Sequence, residues 1–270
     1  MNVLTKKELK SIFKKVGVKT GMKLMVHSSL SKLGYLVNGA EDVIDALLEI
    51  ISLKKGTLFI PTHSGQLTNP IYWKVGGFNI KEKKKIKKNI NFFNLKKTMP
   101  MNRGLISKMI LNYKGVKRSS HPLNSTACIG KKSHYYTSNH NLHRPEGFQS
   151  PIGKLYKDKG HILLIGVNFD KITALHLAEA IVNNHVPNRY KPEILTKNKN
   201  NRRTFIKLKY YDSRPKNFKK IYNTVKKKGI LKELRVKRCN ITLINLEPLI
   251  KVAVEKIKMN KNFFIYKKLK

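Results

Sequence analysis

Residues 160–179 read GHILLIGVNFDKITALHLAE and contain two different patterns of apolar side chains. The run from His161 to Val167 is mostly aliphatic, which predicts a buried β-strand. From Thr173 to Asn183 the apolar residues recur at helical spacing, which predicts an amphipathic helix. The side chains available for packing on that helix are Leu175, Leu177, Ala178 and Ile181. A strand that leads into a helix in this way is typical of an α/β domain.

The residues before this stretch show the same alternation. Thr5 and Glu8 have the spacing of a capping box, which predicts the start of a first helix. Lys23–His27 and Thr57–Ile60 are predicted to be short strands, the second stopped by Pro61 and followed by a polar loop. The helix predicted between these strands is marked by Val43, Ile44, Leu47, Leu48 and Ile51.

The middle and the C-terminal part of the chain continue the pattern. We predict a helix at Arg103–Leu111, strands at Ser125–Ile129, Phe205–Tyr210 and Ile241–Ile244, and a terminal helix at Leu249–Ile257. No internal repeat and no clear linker divides the 270 residues. We therefore expect a single α/β domain over residues 1–270, with a central mixed sheet flanked by helices.

A lysine-rich stretch interrupts this alternation. Residues 81–97 contain KEKKKIKK and show no sustained apolar face. A segment of this kind has little apolar surface to bury in a core. It is therefore predicted to be a solvated insertion or a mobile loop.

The chain is strongly basic, with 57 Lys and Arg against 15 Asp and Glu and a formal charge of +42. Such a charge suggests a polyanionic partner. However, only nine of these residues are arginines, and the excess is spread along the chain, whereas nucleic-acid binders more often concentrate arginine or pair basic residues with stacking aromatics. We therefore expect no dedicated nucleic-acid partner.

Cysteine content and hydropathy bear on the compartment. Cys128 and Cys239 are the only cysteines, too few for the disulfide framework of a small secreted domain. Charged residues interrupt the N-terminal segment, and no apolar run approaches the roughly 20 residues of a membrane span. The sequence predicts a cytoplasmic protein with no membrane partner.

Three polar residues on the predicted helix could form a catalytic group. Thr173, His176 and Glu179 are spaced three apart, so their side chains share an arc of roughly 120°. An imidazole titrates near pH 6.5 and suits a general base, which Glu179 could orient while Thr173 donates a hydrogen bond. The alternative is that Thr173 only caps the helix and Glu179 is a solvated surface residue.

Other histidines and the cysteines give weaker signals. His134, His140 and His143 lack a strong metal-ligand spacing, so we expect no metal site. Cys128 lies in an apolar run, which favours a buried residue over a nucleophile paired with His121.

Hydroxyl groups follow the strand predicted at Lys23–His27. His27, Ser28, Ser29 and Ser31 offer hydroxyls and backbone donors that suit the phosphate groups of a cofactor. The alternative is an ordinary helix-capping turn.

Several segments together resemble the aminoglycoside 3-N-acetyltransferase, or antibiotic acetyltransferase, family. They are HSSLSKLGY at 27–35, GAEDVIDALLE at 39–49, GTLFIPTHS at 56–64, RSSHPLNSTACIG at 118–130 and SPIGKLYKDKGHILLIGVNFDKITALHLAE at 150–179. Their order and spacing also match, and the likeness covers most of the chain. One departure is Ile172, where the family usually has Asn before the Thr of T-x-x-H-x-A-E.

The resemblance implies an enzyme that uses acetyl-CoA as co-substrate and no metal. It favours His176 as the catalytic base, and it implies a second cofactor segment at Thr98 and Arg103-Gly104, with Arg103 as a phosphate partner. His121 and Asp212 are interpreted as substrate-binding, against the alternatives of a packed loop histidine and a simple surface aspartate. A homodimer is one possible assembly.

Two functions follow. The first is direct transfer of acetyl from acetyl-CoA to an amine of an aminoglycoside or another amino sugar, with antibiotic resistance as the family's usual role. The second is a non-catalytic basic protein that holds nucleic acid or anionic polysaccharide. For the enzyme, Glu179 is expected to be engaged by His176, which leaves Asp212, Asp170 and Glu146 as candidate partners for the ammonium groups of a substrate. So few carboxylates favour a mono-amino sugar, with or without an anionic carrier, over a multiply charged aminoglycoside.

Overall fold

The computed structural model describes residues 3–73, 76–101, 104–182 and 188–266. Its strands within these ranges are β1 (Val3–Leu4), β2 (Lys23–Ser28), β3 (Tyr35–Leu36), β4 (Thr57–Pro61), β5 (Lys117–Arg118), β6 (Thr126–Gly130), β7 (His161–Ile165), β8 (Glu193–Lys197), β9 (Arg203–Lys207), β10 (Leu231–Val236) and β11 (Cys239–Asn245). Its α-helices are α1 (Lys6–Val16), α2 (Ala40–Ile51), α3 (Ile80–Asn89), α4 (Leu105–Met109), α5 (Ser133–Thr137), α6 (Pro151–Lys157), α7 (Leu175–Val182), α8 (Tyr222–Lys227) and α9 (Leu246–Met259).

Seven of the strands form one mixed sheet in the order β10, β11, β7, β2, β4, β6, β5. The three central strands are parallel, because β2 pairs with both β7 and β4 in that sense, and the outer pairings are antiparallel. In the register of this centre, Met25 lies opposite Ile162 on one side and Phe59 on the other. The predicted α/β fold with a central mixed sheet flanked by helices is confirmed.

The two faces of the sheet carry separate hydrophobic cores. Alternate residues of β2 point to opposite faces, so Leu24 and Val26 pack in one core and Met25 in the other. The first core also contains buried side chains of α1, α2 and α4, and the second contains those of α6, α7, α8 and α9. Helices therefore cover both faces, and the central strands are buried on both sides, as their nearly continuous apolar sequence requires.

The parallel strands bring three loops to one edge of the sheet. β2 ends at Ser28, β4 at Pro61 and β7 at Ile165, and the carboxyl ends of parallel strands lie on the same side. In open α/β sheets this edge is where ligands bind. The serine-rich turn after β2 and the segment that joins β7 to α7 therefore meet there.

Local capping explains where two helices begin. The predicted capping box of α1 is present: Glu8 N donates to Thr5 Oγ1 at 3.3 Å, and Thr5 N donates to Glu8 Oε2 at 2.8 Å. The helix ends at Gly17, whose φ of 112° is a left-handed conformation that glycine adopts without a Cβ clash.

The lysine-rich segment differs from its prediction. A loop reading of this whole stretch is wrong, because residues 80–89 form α3, which begins with a capping box between Asn79 and Glu82. No residue of this helix is buried, in agreement with its solvated character. Charge alone indicated a surface segment, and the cap provides the additional signal that it is helical. Within the described ranges, none of the helices has the length and apolar character needed to cross a bilayer.

Candidate functional site

A cleft lies at the edge where the central strands end. Its lining includes His27, Ser28, Ser29 and Ser31, together with Gly104 and the ammonium-bearing Lys171. The cleft is open to solvent. Hydroxyl groups with a cation beside them are a donor set that suits phosphate and amide groups.

Backbone contacts fix the shape of this cleft. Ser29 N donates to the carbonyl of Ile165 at 2.8 Å, which joins the turn after β2 to the end of β7, and the hydroxyls of Ser29 and Ser31 lie 3.4 Å apart. Gly104 has a φ of 77°, and a Cβ built on it would lie 3.7 Å from the Ser28 carbonyl. A side chain there would extend over the serine turn, so glycine keeps this part of the cleft open.

The other two predicted cofactor residues are placed differently. Thr98 does not line this cleft but a separate surface hollow, where its hydroxyl accepts a hydrogen bond from Asn94 N at 2.8 Å. Its position gives no geometric support for cofactor contact. Arg103 lies outside the described residues. The predicted helix at Arg103–Leu111 is shorter in the structure, with α4 followed by a single 3-10 turn at Ile110–Asn112.

A second, narrower cleft contains the candidate base. Its lining comprises Arg144, Glu146, Gly147, His176, Glu179, Ala180, Tyr210, Tyr211 and Asp212. We refer to it as the acceptor cleft and to the serine-lined one as the cofactor cleft. The segment from Val167 to His176 connects them, because Val167 and Lys171 line the cofactor cleft and His176 lines the acceptor cleft five residues later.

His176 and Glu179 form a hydrogen-bonded pair on α7. Nδ1 of His176 lies 2.7 Å from Oε2 of Glu179, and the two side chains are 19% and 13% exposed. Because a carboxylate only accepts, the proton of a neutral His176 is assigned to Nδ1, and Nε2 then carries the lone pair. The Phe218 ring and the imidazole pack in a T-shaped arrangement, with centroids 5.0 Å apart. The pair is therefore held in the geometry of a base and its orienting group.

A chain of charges extends from this pair. Lys216 Nζ lies 2.5 Å from Glu179 Oε1 and 2.5 Å from Asp212 Oδ2, and Arg214 makes two-pronged contacts of 2.8–3.0 Å with Asp212. Burial alone would raise the pKa of Glu179, but its contacts with His176 and Lys216 outweigh burial and hold the pKa below its ordinary value. The pKa of Asp212 is lowered in the same way, against burial, by Arg214 and Lys216. Both groups are thus carboxylates at neutral pH.

Thr173 precedes the first turn of α7. In sequence it lies between Lys171, which lines the cofactor cleft, and His176, which lines the acceptor cleft. Thr173 is 9% exposed, and its Oγ1 is buried with no hydrogen-bond partner among the described residues. Buried hydroxyls are usually satisfied, so an unsatisfied one indicates a position that a bound group could complete. The neighbouring Ile172 is fully buried in the second core rather than exposed to a cleft.

His121 is held by its own loop. Nδ1 accepts hydrogen bonds from Leu123 N and Asn124 N at 3.1 and 3.0 Å, and Nε2 donates to the Leu142 carbonyl at 3.0 Å. Burial lowers its pKa to about 4, so the ring is neutral. Since both nitrogens are engaged, the geometry supports the packed-loop alternative and not a substrate contact.

The predicted Asp212 does line the acceptor cleft, but sequence reasoning missed its partner Lys216 and the buried Arg118. Arg118 donates to the carbonyls of Thr62 and Thr98 at 2.7 and 2.6 Å, and burial lowers its pKa to about 10. It thereby ties the segment before α4 to the end of β4. Arg118 is the first residue of the motif RSSHPLNS, and this position is the signal by which the sequence could have identified it.

The remaining polar clusters give no sign of metal or thiol chemistry. Across the part of the chain that the structure describes, no group of three or more His, Cys, Asp and Glu side chains could hold a metal ion. Cys128 is fully buried, and burial raises the pKa of its thiol well above the ordinary value.

Several known proteins are similar to this chain in sequence and in fold. A family model described as aminoglycoside 3-N-acetyltransferase matches residues 25–258. YokD of Bacillus subtilis (strain 168), an SPbeta prophage-derived aminoglycoside N(3')-acetyltransferase-like protein, is 37% identical over 179 residues, 65% of this chain and 64% of YokD. An aminoglycoside N(3)-acetyltransferase III of Salmonella sp is 29% identical over 195 residues, 68% of this chain and 63% of the relative. Each alignment thus spans slightly less than two thirds of the relative's length.

The crystal structure of YokD superposes with a TM-score of 0.83 at 28% identity and covers 95% of this chain and 99% of that one. The family match extends over most of the chain and includes the serine turn, the Thr173–Glu179 segment and the central sheet. The chain therefore belongs to the aminoglycoside 3-N-acetyltransferase family, as its motifs predicted.

Proposed function

We propose that this protein transfers acetyl from acetyl-CoA to the amine of a small molecule, with His176 as general base. The observation that carries the proposal is the 2.7 Å contact between His176 Nδ1 and Glu179. This contact assigns the ring proton to Nδ1, so Nε2 has a lone pair that can accept a proton from a group bound in the cleft. An amine must lose a proton as it attacks a thioester carbon, and an imidazole with its lone pair presented is suited to accept it. Glu179 stabilises the imidazolium that forms.

The cofactor cleft fits acetyl-CoA in its donor set. Ser28, Ser29 and Ser31 would hold polar groups of the cofactor, and Lys171 would pair with a phosphate. When bound, acetyl-CoA supplies the thioester whose carbonyl carbon the amine attacks. Thr173, with its unsatisfied buried hydroxyl, is the candidate donor to the carbonyl oxygen or to the departing sulfur. The proton on His176 then passes to the sulfur, so that an amide and a free thiol are the products.

Two structures of the same fold were solved with ligands of the proposed classes. One neighbour of the same fold, with a TM-score of 0.80 and 19% identity, was solved as AAC-IIIb in a binary complex with CoASH. Another, with a TM-score of 0.79 and 23% identity, was solved as AAC-VIa bound to sisomicin. We carry over the use of a CoA thioester and of an amine acceptor, and we assign the acceptor class from the cleft of this chain.

The charges of the acceptor cleft favour an amine with few positive charges. Glu179 and Asp212 are both paired with Lys216, and Glu146 accepts a 2.5 Å hydrogen bond from Asn124. A polycation needs several carboxylates that are not already neutralised, whereas one amine needs only one partner. We propose a mono-amino sugar as the preferred acceptor.

The non-catalytic basic alternative receives less support. The clearest basic and aromatic cluster surrounds Phe92 and Phe205, where Lys197 and Arg203 lie over Phe92 at 5.4 and 5.1 Å and Lys87 lies over Phe205 at 5.3 Å. These cations occupy ring faces on which nucleic-acid bases would stack. The cluster is therefore better explained as packing of α3 and the residues that follow it against the paired strands β8 and β9.

The decisive experiment is a thiol-release assay with acetyl-CoA and a panel of amines. The panel should pair glucosamine with an aminoglycoside such as sisomicin at equal ionic strength. We expect release of CoA with both, and a higher kcat/KM for glucosamine. Absence of turnover with every amine would contradict the enzymatic proposal, and a clear preference for sisomicin would contradict the proposed acceptor class.

A further inference from the structure

Arg144 presents a guanidinium to the acceptor cleft. Its Cζ lies 3.8 Å from the centroid of the Tyr210 ring, so the guanidinium stacks on the aromatic face. The backbone holds this arrangement in place, because Tyr210 N donates to the His143 carbonyl at 3.2 Å and Arg144 N donates to Asn141 Oδ1 at 3.0 Å. Stacking restrains the side chain and leaves the N–H donors at the edge of the guanidinium available.

The guanidinium of Arg144 has no acceptor among the described residues. The three carboxylates that line the same cleft have other partners: Lys216 and His176 for Glu179, Arg214 and Lys216 for Asp212, and Asn124 for Glu146. None of the ion pairs that the described ranges contain includes Arg144. A partly buried cation without a counter-ion is unusual, because the cost of desolvation is normally offset by pairing.

The surroundings of Arg144 can accommodate a ligand that also reaches His176. Arg144, Gly147 and Ala180 line both the acceptor cleft and an adjoining, more open hollow. That hollow is bordered by the polar side chains of Asn141 and Gln149 and by Phe148, which is 46% exposed. A sugar ring could lie in this hollow, with its amine directed to His176 and a second group beside Arg144.

We propose that Arg144 is a specificity residue that binds an oxyanion, a phosphate or a carboxylate, on the acceptor substrate. The inference rests on the proposed function, because it concerns the substrate of the same cleft. A planar guanidinium with exposed N–H groups binds either oxyanion through two parallel hydrogen bonds. The acceptor is then an amino sugar that carries its own negative charge, which a strongly basic protein also attracts.

Equilibrium binding tests this site without reference to turnover. Glucosamine, glucosamine 6-phosphate and muramic acid share one amino-sugar ring and differ in having no anion, a phosphate or a carboxylate. Each is titrated by calorimetry in the presence of saturating CoA, so that the phosphate does not enter the cofactor cleft. We expect tighter binding of at least one anionic sugar than of glucosamine. Whichever anionic sugar binds more tightly identifies the oxyanion.

Variants of Arg144 separate a specific contact from general attraction. Arg144→Gln should weaken binding of the preferred anionic sugar by about tenfold or more and leave glucosamine unchanged, and Arg144→Lys should restore only part of the loss. Arg202→Gln removes the same charge from the exposed turn between β8 and β9 and should change the affinity for neither the anionic sugar nor glucosamine. Equal affinity for the charged and uncharged sugars, or an equal loss in Arg144→Gln and Arg202→Gln, would overturn the inference.

The same ligands in the thiol-release assay distinguish this inference from the proposed function. If the enzymatic proposal holds, the kcat/KM of Arg144→Gln falls by a similar factor for the anionic sugar only. If no amine releases CoA while Arg144-dependent binding persists, the proposed function fails and the anion site stands. If glucosamine is acetylated as efficiently as both anionic sugars, the specificity role of Arg144 fails and the acetyltransferase activity stands.

Discussion

Lys216 places its ammonium 2.5 Å from Oε1 of Glu179, while the other oxygen of that carboxylate faces His176. Its side chain is 5% exposed, so this ion pair is shielded from water. Glu179 is thereby held from two sides, by the Lys216 ammonium and by the imidazole that it orients. Lys216 does not line the acceptor cleft, which makes it a positioning residue rather than a group that touches substrate.

Loss of this cation should alter the pH dependence of catalysis. In Lys216→Met the carboxyl of Glu179 takes up a proton more readily, because one of the two contacts that lower its pKa is removed. We expect kcat to fall by about tenfold and the acidic limb of the pH–rate profile to move to higher pH. Lys216→Arg should restore much of both. Lys226→Met removes an exposed ion pair with Glu233 and serves as the control.

His176→Ala tests the base itself. A general base contributes about 10²-fold or more to the rate, so kcat/KM for the amine substrate should fall on that scale with little change in folding. His134→Ala, on the exposed face of α5, provides the matched histidine control and should retain full activity. Near-unchanged turnover by a folded His176→Ala protein would exclude His176 from the role proposed for it.

Thr173→Val separates a catalytic hydroxyl from a structural one. The Oγ1 atom has no partner among the described residues, so its replacement by a methyl group should leave the free energy of unfolding unchanged or raise it by about 1 kcal/mol. A donor to the reacting carbonyl or sulfur would instead be lost, and kcat should fall about tenfold or more. Measurement of both quantities on one variant decides the matter. A stability loss with normal kcat would assign Thr173 to structure alone.

The sequence was most informative where side chains are buried. The strand at His161–Ile165 and the helix at Leu175–Val182 follow from apolar periodicity, because both are packed in the cores. The strand at Leu231–Val236 was missed, because it lies at one edge of the sheet and most of the side chains in its sequence LKELRV are exposed or only partly buried. Only its pairing with β11 makes it a strand.

In the candidate site, contacts between residues close in sequence were predictable and contacts between distant residues were not. His176 and Glu179 are close in sequence, so helical spacing alone predicted their contact. Glu179 and Lys216 are 37 residues apart, and only the tertiary structure brings them together. Thr98 and His121 were assigned through motif resemblance, which marks a segment but does not show which way a side chain points.

Binding of acetyl-CoA should weaken with salt. The cofactor carries several phosphate charges, the chain has a formal charge of +42, and Lys171 borders the cofactor cleft. Between about 0.01 and 0.15 M salt the screening length falls from about 30 Å to about 8 Å, which removes most of the long-range attraction. We expect the Kd for CoA to rise steeply over this range. Lys171→Gln should make the salt dependence shallower than Lys54→Gln does, since Lys54 lies on the exposed turn after α2 and does not line the cofactor cleft. An affinity that does not change with salt would contradict phosphate pairing.

Two buried histidines should make the fold sensitive to mild acid. The rings of His121 and His140 lie 4.9 Å apart, and burial lowers their pKa values to about 4 and about 3. His140 is fixed like His121, with Nε2 donating to the Pro145 carbonyl at 2.7 Å and Nδ1 accepting from the Ser119 hydroxyl. Each ring is therefore neutral in the folded state, whereas an unfolded histidine binds a proton near pH 6.5.

The sign of the effect follows from this difference. Between pH 6.5 and 4 the unfolded chain binds more protons than the folded chain, so stability is complete above pH 6.5 and falls as the pH decreases. The loss should amount to a few kcal/mol by about pH 4.5, and unfolding by urea at pH 7.5, 6 and 5 measures it. In His121→Asn the amide oxygen can still accept from Leu123 N and Asn124 N but has no proton to bind, so the slope between pH 6.5 and 5 should become shallower. If the variant keeps the full slope while folding normally at pH 7.5, His121 does not contribute to acid sensitivity, and His140 or the carboxylates near Lys216 must account for it.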